Sequence, residues 1–284
     1  MKKWMLLIVT IYGVSTVKAQ QKPAYVLYNS NGKKVGYNKM IKDLVEQDVV
    51  LFGEYHNNPI SHWLELSVTK DCYAKIPLIL GAEMFEQDDQ PALTAFVQGK
   101  TNEKTFASSA RFWSNYATDY APIIQFAREH TIEVIATNTP RKYAALVAKN
   151  GFSALDTLSS ATKNLIAPLP IAFDSTLPGY KNMIAMMGDH GSANMVKAQA
   201  FKDATMAYFI QTNTIAGKLF LHFNGSYHSD YHDGIFWHLR NSNPALKIKT
   251  ITTVTQKNIK KLLAENKQKA DYIICVDEDM TNTY

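Results

Sequence analysis

The sequence predicts an α/β protein with a mainly parallel central sheet, helices on both faces and a helical insertion near the site. Three observations carry this reading. Short apolar runs rich in β-branched residues recur along the chain, each bounded by polar or turn residues. Segments of helical spacing separate them, and alternating strand and helix is the pattern of a parallel sheet covered on both faces. Three of the apolar runs end in ionisable groups, and open α/β sheets bind ligands beyond the carboxyl ends of their strands.

Residues 1–19 stand apart from that pattern. A basic start (Met1-Lys2-Lys3), an apolar run from Trp4 to Val14 and the small-residue exit Val17-Lys18-Ala19 form a secretory signal peptide cleaved after Ala19. The apolar run is too short to remain as a bilayer-spanning helix. No cysteine precedes Cys72, so the lipidation cysteine of an anchored lipoprotein is missing, and an exported, periplasmic or secreted protein is expected. Cleavage would remove three of the 30 basic residues and none of the 25 acidic ones, leaving a net charge of about +2. No basic run is interleaved with aromatics, so the electrostatic footprint of a nucleic-acid binder is missing. Residues 20–284 show no linker or low-complexity tract and are read as one domain.

The strand candidates are Asp48–Gly53, Pro77–Ala82, Ile132–Thr137, Lys218–Asn224, Lys247–Val254 and Tyr272–Val276, all with the composition of buried central strands. Helical spacing covers Ser61–Tyr73, Tyr120–His130, Arg141–Lys149, Asn194–Thr212 and Gln256–Lys269. The stretch Gln87–Asp119 has no strand signal and is rich in aromatics. It reads either as a helical insertion over the site or as surface helices packing Phe96, Phe106, Phe112, Trp113 and Tyr116 into the core. Leu165–Gly191, with three prolines and three methionines, reads as a mobile loop or flap. Cys72 and Cys275 are the only cysteines; export would permit a disulfide, and two buried thiols account for the same facts.

The chemistry gathers at three strand exits. Val49-Val50-Leu51-Phe52 runs into Gly53-Glu54-Tyr55-His56, Leu78-Ile79-Leu80 into Gly81-Ala82-Glu83, and Leu219–Phe223 into Asn224-Gly225-Ser226-Tyr227-His228. Two of these exits share the pattern Gly-x-Tyr-His, in which glycine permits a sharp turn toward the crevice. Glu54, His56, Glu83 and His228 can hold a divalent metal such as Mn, Co or Zn, or act without metal as a general acid/base set. Gln199 and Asp203 lie four apart on one helix face, and Arg141 follows Pro140 at a helix start. All three are placed to orient the site groups, or simply to cap and brace helices. His62 and the pair Tyr231-His232 are secondary candidates for the site, or simply surface residues.

At these residues the chain resembles the ChaN-like haem-binding uptake proteins, grouped with the Tiki/TraB proteases and the erythromycin esterases. The resemblance spans 48–241. It runs through Leu51–His56, Gly81–Glu86 with Gln90–Leu93, and Tyr120 leading into Phe126–Glu129. It continues through Ala136–Arg141, Ala198–Ala207 and Gly225–His228. It implies the fold already described and a monomer or homodimer that binds haem outside the inner membrane and serves haem or iron uptake with a receptor. By motif position it implies that the superfamily's proteases hold a divalent metal at the equivalents of His56, His228 and Glu54 or Glu83. It does not fix the haem ligand. Tyr55, Tyr227, His228, Met187 and His190 are the candidates, since haem iron accepts tyrosine, histidine or methionine. The cluster Met183, Met186, Met187, His190 and Met195 either contacts porphyrin or fills an uneven apolar surface. The alternative to haem uptake is a metal-dependent protease or esterase; a third reading keeps the crevice as a binding module without turnover.

Overall fold

The computed structural model describes residues 22–187 and 192–284; the predicted signal peptide lies outside them. In chain order the elements are β1 (Tyr25–Asn29), α1 (Tyr37–Leu44), β2 (Val49–Glu54), α2 (Pro59–Tyr73), β3 (Leu78–Glu86), α3 (Gln90–Val97), α4 (Glu103–Ser109) and α5 (Ala121–Glu129). Then come β4 (Glu133–Asn138), α6 (Arg141–Asn150), α7 (Ser160–Lys163), α8 (Pro178–Met187), α9 (Ala193–Asn213), β5 (Leu219–Gly225), α10 (Gly234–Ser242), β6 (Ile248–Gln256) and β7 (Tyr272–Asp277). Among the described residues seven strands form one sheet in the order β1-β7-β6-β2-β5-β3-β4. Only β1 runs antiparallel, along β7; every other pairing is parallel.

The continuous apolar runs follow from burial on both faces of the sheet. Val50, Phe52, Leu80 and Phe223 pack into one cluster with Leu64, Val68 and Phe96 from the helices. Their alternate neighbours Val49, Leu51, Ile79 and Phe220 pack on the other side with Met206 and Ile210 of α9 and Leu239 of α10. Burying one such leucine or phenylalanine contributes about 1.5–3 kcal/mol, so both layers hold the sheet firmly. β5 lies between β2 and β3, which brings the three motif-bearing exits side by side. Glu54 is level with Gly225, and Ala82 with Phe223.

Three expectations are corrected. The predicted helix Gln256–Lys269 is a loop followed by a single 3-10 turn at Ala264–Asn266. Its apolar spacing is real, but Ile259 and Leu262 plug a cluster with Val254 and Ile273. The loop is pinned by Gln256, whose Nε2 donates to Lys261 O at 2.8 Å while its Oε1 accepts from Leu263 N at 3.2 Å. The segment read as a flap contains α8, started by Pro178. It is tethered by Gly179 N donating to Asp233 Oδ2 at 2.7 Å and by the buried Tyr180 hydroxyl donating to Asp203 Oδ2 at 2.8 Å. β1 was not foreseen, because its five residues sit on an edge and are half-buried in places. Both cysteines are free and buried, Cys72 in one helix-covered cluster and Cys275 in a separate one.

The stretch Gln87–Asp119 does both things expected of it. Phe96, Phe106 and Tyr116 are core residues. Trp113 packs edge-on against the His56 ring, centroids 4.8 Å apart, and Asn115 Nδ2 donates to His56 O at 2.9 Å.

Candidate functional site

Alternation along the strands divides the four strand-end groups into two sets. Glu54, in step with Phe52, is turned toward the α2 layer; Glu83, in step with Ile79, is turned toward α9. On the first side Glu54 Oε1 accepts from Tyr120 Oη at 2.7 Å and lies 2.6 Å from His56 Nδ1. On the second side Glu83 Oε2 accepts from Gly225 N at 2.7 Å, and Oε1 lies 3.2 Å from His228 Nε2. His228 Nδ1 lies 2.5 Å from Asp203 Oδ1, and the Gln199 amide nitrogen is 3.0 Å from the same atom. Asp203 and Gln199 share one face of α9, so both reach His228.

The two sets meet at Gly225. A Cβ there would lie 2.7 Å from His56 Cε1, 2.8 Å from His56 Nε2 and 3.6 Å from Glu83 Oε2, so the ring rests on bare backbone beside the Glu83 carboxylate. Burial alone would push the Glu83 carboxyl up; the charge and hydrogen bond of His228, with His56 and Lys202, hold it well below the usual carboxylate range. His228 responds in kind. Burial would lower its pKa, but Glu83 and Asp203 push it up to about 10, favouring an imidazolium clamped between two carboxylates. In His222, by contrast, burial wins and pushes the pKa down to about 4; this ring braces Thr137 and Asn224.

His62, a secondary candidate in the sequence, and Glu65, not singled out there, belong beside Glu54. His62 is buried: its Nε2 lies 3.1 Å from His56 O, and its Nδ1 lies 3.1 Å from both Glu65 Oε2 and Glu54 Oε2. Among the described residues, Glu54, His62 and Glu65 are the acidic and imidazole groups whose donor atoms come within 4.8 Å of one another. Burial and the charge of Glu54 push the Glu65 carboxyl well up. Burial works against a charged His62, but hydrogen bonds to Glu54 and Glu65 push it up to about 11. The available signal was His62-x-x-Glu65, an i,i+3 pair on the helix directly after the first motif. Arg141 is turned elsewhere, its Nε donating to Glu86 Oε1 at 2.7 Å.

A cleft of about 810 Å³ opens over these groups and is walled by Tyr55, Tyr227, Met183, Met186 and Met195. Tyr227 is 53% exposed and its hydroxyl donates to Met186 Sδ at 2.9 Å; Tyr55 is half-buried. Burial, with Asp230 nearby, pushes the Tyr55 phenol up. A second cleft of about 420 Å³ shares Tyr55, Tyr227 and Met186, so the two tyrosines stand between the two spaces. The Met187 side chain and His190 lie outside the described residues.

The sequence profile described as haem-binding uptake, Tiki superfamily, ChaN matches residues 40–239, and the chain belongs to that family. Its fold is similar to that of ChaN of Campylobacter jejuni, described in terms of cofacial haem binding, with a TM-score of 0.66 and 19% identity over 88% of this chain and 96% of that one. A Bacillus cereus protein aligns with a TM-score of 0.49 and 12% identity over 86% of this chain and 92% of that one. The Vibrio vulnificus toxin effector domain RRSP aligns at 0.46 and 12% identity, over 86% of this chain and 40% of that one. No curated protein matches the chain in sequence.

Proposed function

We propose that the protein binds haem in the cleft above β2 and β5 and takes part in haem or iron uptake after export and removal of residues 1–19. The observation that carries this reading is the donor set of the cleft in a chain of this family: phenols and thioethers on an apolar wall of about 810 Å³. That volume falls in the range of small-molecule and cofactor sites, about 300–1,000 Å³. Haem supplies an iron that accepts a tyrosine oxygen or a methionine sulfur.

Tyr227 is the ligand we assign. Its phenol is at the rim and exposed, whereas the Tyr55 phenol is half-buried and pushed up by burial and by Asp230. Both nitrogens of His228 are engaged by Asp203 and Glu83, which leaves no free lone pair for iron. Met183, Met186 and Met195 give the porphyrin faces soft contacts, and Lys202 at the cleft edge suits a propionate. In this role the protein passes its haem to an uptake receptor.

The test is a haem titration followed by visible absorption. Saturation at a simple ratio is expected, with Tyr227→Phe changing the spectrum of the bound form and Tyr55→Phe leaving it close to that of the parent. Binding without a defined end point would remove the reading.

A metal-dependent hydrolase draws on a different observation. Both motif histidines are backed by carboxylates, His56 by Glu54 and His228 by Asp203, the arrangement that orients metal-binding imidazoles. It predicts ester or peptide hydrolysis that needs added metal and disappears in Glu83→Gln.

A further inference from the structure

Helix α2 carries polar groups where its buried face should be apolar. Ser61, His62, Glu65 and Thr69 are buried along with Leu64, Val68 and Cys72. The turn of the helix puts His62 and Glu65 side by side, and both face Glu54 at the end of β2. The acceptors outnumber the donors there. Glu65 Oε1 is buried with no hydrogen-bond partner, and the buried Glu54 Oε2 has only a 3.1 Å contact with His62 Nδ1 that lacks hydrogen-bond geometry. A buried acceptor left without a partner costs about 1–3 kcal/mol, and more when charged, so two in one place call for something that binds them.

The surroundings prepare the three side chains as ligands. His62 Nε2 donates to the His56 carbonyl, so Nδ1 is the nitrogen aimed at both glutamates, and it becomes a lone-pair ligand once a cation displaces its proton. Fixing one ring nitrogen on a backbone carbonyl is how metal-binding histidines are commonly oriented. Glu54 is held by its other oxygen, through Tyr120 and His56, so that Oε2 is aimed inward. The 3.1 Å separations between His62 Nδ1 and the two carboxylate oxygens fall between the octahedral and tetrahedral edges, about 3.0 and 3.4 Å, of ligands roughly 2.1 Å from a central ion.

We propose that Glu54, His62 and Glu65 form a buried binding site for a divalent transition-metal cation on the α2 side of Glu54, sharing only that residue with the haem cleft and distinct from the pair His56 and His228. An imidazole among two carboxylates selects a cation of the manganese-to-zinc series over magnesium or calcium, which prefer all-oxygen sites. The cation takes the place of the extra protons that the cluster otherwise holds, and those protons are released on binding. It would fix the first turns of α2 against the Glu54-Tyr55-His56 exit, directly beneath the cleft.

The test is metal uptake by the purified protein, with Zn²⁺ and Mn²⁺ as probes, read by elemental analysis and by thermal unfolding. One equivalent and a raised Tm are expected. Glu65→Gln should bind at least about 10-fold more weakly, and His228→Ala should bind as the parent does. X-ray absorption on the zinc form of the unmodified protein decides without any variant: one imidazole among oxygen ligands supports the site. Two imidazoles would place the metal at His56 and His228 and overturn it, as would uptake well below one equivalent or equal binding by the parent and Glu65→Gln.

Discussion

Asp230 is 14% exposed and sits beneath the tyrosine-lined wall, its Oδ1 accepting from Thr252 Oγ1 at 2.5 Å. Burial pushes its carboxyl up to about 6, an effect only partly offset by the Thr252 hydroxyl and by Lys269. In the unfolded chain an aspartate releases its proton near pH 3.9. Between about pH 4 and 6 the folded protein therefore binds a proton that the unfolded chain has lost, and stability falls as pH rises through that window. Asp230→Asn keeps the acceptor for Thr252 and removes the titration. The expected result is a smaller loss of urea stability from pH 4 to pH 7 than in the parent, by on the order of 2 kcal/mol; identical pH profiles would show that this carboxyl is not the source. Residue-scale chemistry was legible at Glu54, His56, Glu83 and His228 because strand ends point into a crevice. Which nitrogen meets which carboxylate was not, since strand alternation splits these four residues between two faces. Arg141 shows the limit from the other side: adjacency to a strand end does not decide whether a long side chain turns to the crevice or to Glu86.

Helix α2 illustrates what an element can conceal. Its cap is plain in the sequence: Asn58 Oδ1 accepts from Ile60 N at 3.1 Å and Ser61 N at 3.0 Å, and Pro59 occupies the first turn. Its buried face is not, because His62 and Glu65 have the composition of a solvated surface. Asn58→Ala removes the cap and should cost about 1 kcal/mol, read as a lower urea midpoint at unchanged slope. Because α2 also positions His62 and Glu65, the same variant should weaken zinc uptake. An unchanged urea midpoint would show that the cap contributes nothing. The helix expected at Gln256–Lys269 errs in the opposite direction. Ile259 and Leu262 have helical spacing, yet the hydrogen bonds that decide the conformation come from the Gln256 side chain, whose partners lie up to ten residues away. Spacing records which residues are buried; it does not record which polar side chain satisfies the backbone around them.

At the scale of the whole molecule, the parallel sheet and its two helical layers were readable from the alternation of apolar runs and helical segments. The edge was not: β1 is short, and its antiparallel pairing with β7 depends on residues nearly the whole chain away. The two buried thiols report the same architecture, Cys72 lying in the α2 layer and Cys275 inside β7, each packed in its own cluster. That first-with-last pairing also sets a schedule for assembly. Tyr25–Asn29 emerge early from any machine that makes or threads the chain, but the strand that receives them, Tyr272–Asp277, emerges at the end. Until then the early strand has only its local bridge from Tyr28 to Lys34, and contacts of such long sequence separation form slowly because a long loop must close first. A chain cut before Tyr272 should leave Tyr25–Asn29 open to protease, whereas the complete chain protects it; equal protection in both would show that the early strand finds another partner. A sheet that needs Tyr272–Asp277 to seat its first strand stays incomplete until that segment is available.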